Sequence, residues 1–111
     1  MSIHARLWCL LFSICLLFCT PASAAEVPLR VAAASSLKFV LDELVRLYGK
    51  EHPEVALQMT YGASGKLATQ IRQGAPFDLF LSADKLRADD LWKQGLCISA
   101  PRVFARGRLV L

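Results

Sequence analysis

Residues 7–19 carry no fixed charge, and the sequence beyond them is poor in the two residue types most used for metal and nucleophile chemistry. The whole chain has two histidines, His4 and His52, and four cysteines, Cys9, Cys15, Cys19 and Cys97, of which only His52 and Cys97 lie beyond that stretch. The uncharged stretch, Leu-Trp-Cys-Leu-Leu-Phe-Ser-Ile-Cys-Leu-Leu-Phe-Cys, holds three of those cysteines and is apolar at every position but Ser13. Arg6 alone brings fixed side-chain charge before it, and Pro-Ala-Ser-Ala-Ala follows at 21–25. A basic start, a short apolar block and small residues after it make a secretory signal peptide. The block has 13 residues, against the roughly 20 that a membrane-spanning helix needs. Cleavage is expected after Ala24 or Ala25, leaving residues 1–24 as signal and 25–111 as the mature domain. Bulky Phe18 stands where a lipoprotein signal wants a small residue, which disfavours lipid attachment at Cys19. Cys97 would then be the sole mature thiol, so neither an internal disulfide nor a thiolate metal cluster is expected.

A dense charge of one sign is also missing. Only Arg6 of the 13 lysines and arginines lies in the leader, so 12 basic residues face 9 acidic ones in the mature part. They are scattered, without the basic stripe and stacking side chains of a nucleic-acid surface. No nucleic-acid partner is expected.

What is present is an alternation of strand and helix signals. Leu29–Ala33 is a short apolar run after Pro28 and reads as a buried strand. From Ser36 to His52 the residues Leu37, Val40, Leu41, Leu44, Val45, Leu47 and Tyr48 recur at helical spacing, and Pro53 follows. Val55–Tyr61 places apolar residues at alternate positions, a strand pattern. Lys66–Gln73 is a short helix stopped by Gly74, Asp78–Ser82 a third strand, and Ala83–Gln94 a third helix stopped by Gly95. Arg108–Leu111 reads as the start of a fourth strand. Strands and helices in alternation, with short connections, predict an α/β fold: a mostly parallel sheet with flanking helices.

In such sheets ligands gather at the carboxyl ends of the strands. There the sequence puts Ala32-Ala-Ala-Ser-Ser36 and Tyr61-Gly-Ala-Ser-Gly65. Each sets a serine where a helix begins, next to backbone N–H groups without intrahelical partners and the positive end of the helix dipole. Small neighbours let an anion approach the backbone, so Ser36 and Ser64 are candidate oxyanion ligands. Serine is also a favoured N-cap, and either turn alone would read as one. Donors of this kind do not tell phosphate, sulfate, carboxylate and molybdate apart.

Other chemistries fail on residue identity. A nucleotide-binding P-loop ending at Gly65-Lys66 would need glycine at Thr60 and a hydroxyl residue at Leu67. A Gly-x-Gly-x-x-Gly turn is absent. His52 sits at a helix end between Glu51 and Pro53, as a solvated capping residue. Asp78 and Asp84 flank the third strand without making an acid–base pair; Asp84 is expected in the first turn of the third helix, with Ser82 as its cap.

Four segments, Ala33-Ala-Ser-Ser-Leu37, Tyr61-Gly-Ala-Ser-Gly-Lys-Leu-Ala68, Gln70-Ile-Arg-Gln-Gly-Ala-Pro-Phe-Asp78 and Leu79-Phe-Leu-Ser-Ala-Asp84, together resemble the periplasmic molybdate-binding proteins of ABC transporters. The resemblance runs from about Leu29 to Leu111. It implies a type II periplasmic-binding-protein-like lobe, truncated before the second lobe that would supply further donors. It carries the ligand role onto Ser36 and Ser64, each giving its hydroxyl and backbone N–H to the oxygens of molybdate rather than coordinating the metal directly. Ser35 then becomes a neighbour or helix cap, and the Gly-Ala-Pro and Ser-Ala-Asp segments become scaffold.

The function so implied is extracytoplasmic capture of molybdate, and of tungstate, for an ABC importer. The chain would be a periplasmic monomer, not an enzyme, without a cofactor, and partnered by a permease with its ATPase. The alternatives are a binder of sulfate, phosphate or a small carboxylate, the sensing domain of a transcription regulator, and an exported serine hydrolase. The regulator lacks its DNA-binding helices. The hydrolase would need a base, and His52 is expected at the far end of the first helix from Ser36.

Overall fold

The computed structural model describes residues 26–110; the signal-peptide reading of residues 1–24 lies outside them. Strand β1 spans Val27–Ala34 and leads through a single 3-10 turn, Ser35–Leu37, into helix α1, Lys38–Glu51. Strand β2 is Val55–Gly62, helix α2 Ser64–Arg72, strand β3 Leu79–Leu81 and helix α3 Lys85–Lys93. The three strands form one parallel sheet in the order β2-β1-β3. The α/β architecture expected from the alternating pattern is the one observed.

β1 is central because its second half can be buried on both faces. Val31, Ala32, Ala33 and Ala34 are buried, and they join Leu67 and Ala68 of α2 and Leu91 of α3 in the core. A continuous apolar run of this kind belongs in a parallel sheet covered on both sides. The chain steps one way from β1 to β2 and back across β1 to reach β3, and right-handed crossovers then set α1 and α2 on opposite faces.

Glycine ends two helices as the sequence indicates. Gly74 and Gly95 have φ of 91° and 72°, the left-handed conformation that satisfies the last carbonyls of a helix. His52 is the C-cap of α1: its N–H donates to the Tyr48 carbonyl, and its ring stacks on Tyr48 at 4.3 Å. β3 is tied to β1 by Asp78. The Arg30 N–H donates to Asp78 Oδ2 at 2.8 Å, and the Asp78 N–H returns to the Arg30 carbonyl at 2.8 Å.

One expectation is corrected. Residues 108–110 form no strand: Leu109 and Val110 are almost fully exposed, and apolar residues become a strand only when a ladder pairs them. The apolar face of α1 forms a helix as its spacing requires, yet none of its residues is buried, and Val40 and Leu44 are more than half exposed.

Candidate anion site at the carboxyl edge of the sheet

The parallel register pairs Ala34 with Gly62, the last residues of β1 and β2. The two serine turns therefore leave adjacent strands at one end of the sheet. Strands in a sheet lie roughly 4.8 Å apart, so the turns are neighbours. Ser36 lies two residues past Ala34 and Ser64 two residues past Gly62, so both serines follow the last paired residues of adjacent strands. β1 is the middle strand, and on its other side Ala33 pairs with Leu81, which brings the β3–α3 turn to the same edge.

The residues that precede the two serine-bearing helix starts share their backbone torsions. Ala34 precedes the 3-10 turn with φ −58° and ψ 136°, and Ala63 precedes α2 with φ −64° and ψ 134°. Both hold the extended conformation of an N-cap, and both are alanine. Neither helix start receives a side-chain capping bond. The reading of these serines as simple N-caps therefore fails. Ser64 is the first residue of α2, one position past the cap, and Ser36 is the middle residue of the 3-10 turn. Ser35 is not a side-chain cap either; it begins that turn, and its carbonyl accepts the Lys38 N–H.

The structure assigns the Ser64 hydroxyl a partner that the sequence did not indicate. Its Oγ accepts the Ala83 N–H at 3.0 Å, linking α2 to the β3–α3 turn. Accepting that bond occupies a lone pair and leaves the hydroxyl proton free to donate. The same bond draws the Ser-Ala-Asp segment, read from sequence as scaffold, to the edge of the site. The signal available beforehand was Gly65. A Cβ there would stand 3.3 Å from the Arg87 guanidinium carbon, so the glycine admits a side chain from α3.

The third turn differs in kind. Asp84, not Ser82, is the N-cap of α3, because its carboxylate reaches the Arg87 N–H three residues on at 2.9 Å. Ser82 Oγ accepts the Asp84 N–H at 3.3 Å. Three amides of this turn, those of Ala83, Asp84 and Arg87, are thus each bonded to a side-chain oxygen.

Charge near the first turn is also taken up. Lys38 pairs with Asp42 one helical turn along, and its ammonium sits 4.9 Å over the Tyr61 ring. The Tyr61 hydroxyl donates to Asp42 at 2.7 Å. Hydrogen bonds from Lys38 and then Tyr61 hold the Asp42 carboxyl below its usual range. Partial burial, and after it the Asp42 carboxylate, pushes the Tyr61 hydroxyl up to about 12. The donors that the two serine turns offer are neutral hydroxyl and N–H groups, with cationic side chains near the second: Arg87 over Gly65, and Lys66 two positions past Ser64. Among the described residues no cluster of His, Cys, Asp and Glu is arranged to hold a metal ion. His52, at the opposite end of α1, is not brought to either serine.

Residues 29–111 match the family described as bacterial extracellular solute-binding protein. The chain belongs to that family. Among its relatives is the "Putative ABC transporter substrate-binding lipoprotein YvgL" of Bacillus subtilis, 42% identical over 72 residues, which are 65% of this chain and 26% of the relative. The molybdate-binding protein ModA of Rhodobacter capsulatus is 37% identical over 92 residues, covering 82% of this chain and 35% of that protein. A solved structure, the "substrate binding domain of putative molybdenum ABC transporter from Clostridium difficile", superimposes with a TM-score of 0.61 at 42% identity, over 62% of this chain and 30% of that one. The chain thus spans about a third or less of the length of these relatives. These relatives carry names of solute-binding proteins, not of enzymes.

Proposed function

We propose that this chain provides the oxyanion-binding turns of an extracytoplasmic solute-binding protein that captures molybdate for an ABC importer. The observation that carries the proposal is the pair of uncapped serine turns that leave adjacent parallel strands at one edge of the sheet. Relatives named for molybdate binding support the choice of ligand. Each serine gives a hydroxyl and a backbone N–H to the anion oxygens, and the helix dipoles stabilise its charge. Tungstate, with the same shape and charge, would be held in the same way. The process is binding and release without bond chemistry, and delivery is to a permease with its ATPase.

Export through residues 1–24 places this activity in the periplasm, with the mature protein a monomer. N-terminal sequencing of exported material should begin at Ala25 or Glu26; retention of Cys9 would contradict the export reading.

A hydrogen bond to a charged group contributes roughly 1.5–3 kcal/mol, so a few neutral donors suffice for capture. These two turns hold the anion from one side, with its far face in water, and the affinity expected of this chain is about millimolar. Calorimetric titration with molybdate, sulfate, phosphate and acetate tests the proposal. Molybdate should bind most tightly. Tighter binding of sulfate, phosphate or acetate would make the chain a receptor for that anion instead, and no heat with any of them would end the anion reading.

A further inference from the structure

We propose that Asp84 and Arg87 form a charge-compensating pair at the rim of this site, and that Arg87 sets its preference for doubly charged over singly charged anions. The proposal rests on the reading of Ser36 and Ser64 as anion donors. It starts from a conflict in the geometry. Ala83 donates its N–H to Ser64 Oγ at 3.0 Å, which anchors the next residue, Asp84, beside the second serine turn. A bare carboxylate in that place would repel an incoming anion.

Arg87 answers it. Its Nε lies 3.9 Å from Asp84 Oδ2, and the guanidinium continues past the carboxylate to lie over Gly65. A Cβ on residue 65 would meet Cζ and Nη1 at 3.3 Å and Nη2 at 3.5 Å, so the whole guanidinium rests on the first turn of α2. A cation over the N-terminal turn of a helix is opposed by the helix dipole. Asp84 offsets part of that cost, and a bound anion would offset the rest. The one side chain thus spans from the carboxylate it neutralises to the turn that carries Ser64. Glycine at 65 is what makes room for it.

Both side chains are about half exposed, so the effect is a few-fold change and not orders of magnitude. Since the interaction is charge with charge, it acts more strongly on a dianion than on a monoanion of the same shape.

The test is a pair of NMR titrations of the full chain, with molybdate as dianion and perrhenate as tetrahedral monoanion, read at the Ser36 and Ser64 amides. Arg87→Gln should weaken molybdate binding by roughly two- to fivefold and perrhenate binding by less. Asp84→Asn, which keeps an N-cap residue, should strengthen molybdate binding, and the double variant should return toward wild type. Arg87→Lys should retain most of the affinity, and about 0.5 M salt should shrink every difference. An Arg87→Gln variant that keeps wild-type affinity, or loses both anions in equal proportion, overturns the proposal. If that happens while Ser64→Ala abolishes binding, the serine reading stands and the charge pair does not. If neither serine amide moves with molybdate in the wild-type chain, both fall together.

Discussion

The three strand-to-helix turns at the carboxyl edge of this sheet start from the same plan and part company at the residue before the helix. In the first two that residue is alanine, and the first amides of the 3-10 turn and of α2 receive no side-chain cap. In the third it is Asp84, whose carboxylate takes the Arg87 N–H, while Ser82 takes the Asp84 N–H and Ser64 the Ala83 N–H. A capped helix start has used its donors and carries negative charge. An uncapped one presents donors and a dipole to whatever anion arrives. The difference between a scaffold turn and a binding turn here is therefore one side chain, and exchanging it should exchange the behaviour.

The largest effect should come from giving the second turn the cap of the third. Ala63 is exposed and already extended, so Ala63→Asp can bond the α2 amides without strain. The outcome expected is opposite in its two readouts: molybdate binding vanishes, while urea unfolding shows the anion-free chain more stable by about 1 kcal/mol. Next in size is Ser64→Ala, which keeps the backbone N–H and the dipole but removes one hydroxyl donor. It should cost about 1.5–3 kcal/mol of binding, which takes a millimolar affinity to roughly 10–100 mM and is read by NMR titration of the serine-turn amides. The Ser64 hydroxyl caps nothing, so the stability of the anion-free chain should fall by less than that.

A third, smaller effect sharpens the contrast from the other side. Asp84→Ala removes the cap of α3, and thermal or urea unfolding should report a loss of about 1 kcal/mol with no loss of molybdate affinity. The smallest concerns the Lys38–Asp42–Tyr61 cluster beside the first turn. The folded chain favours the neutral Tyr61 hydroxyl, whose titration is pushed up to about 12 from an ordinary 10.0. The stability it contributes is complete below pH 10 and lost as pH rises through about 12. Tyr61→Phe should remove that part of the alkaline decline in stability and leave anion binding alone.

Much of this was legible in the sequence because it rests on local signals. The buried strand around Val31 follows from an uninterrupted apolar run, and the helix stops at Gly74 and Gly95 from a residue that tolerates positive φ. Helix starts were less legible. Ser64 and Ser36 looked like caps because serine is a common one, yet the chain enters both helices one residue or more earlier, at Ala63 and Ala34. Asp84 and Ser82 were reversed for the converse reason: a carboxylate that reaches the third amide ahead outcompetes a hydroxyl farther back. The link from Ser64 to Ala83, and the seat of Arg87 on Gly65, join residues separated by about twenty positions. No periodicity reports such a contact. It follows only from the register that brings three turns to one edge. The fourth strand failed because Leu109 and Val110 have strand-like composition and no ladder beside them.

The central claim is that the two serine turns act on one anion. Titrating isotopically labelled chain with molybdate and following the backbone amides tests it without any substitution. The Ser36, Ser64 and Gly65 amides should shift together along a single binding curve, while the Arg87 amide, held by Asp84, stays in place. Separate curves for the two serines, or a third turn that responds as strongly as the first two, would contradict it.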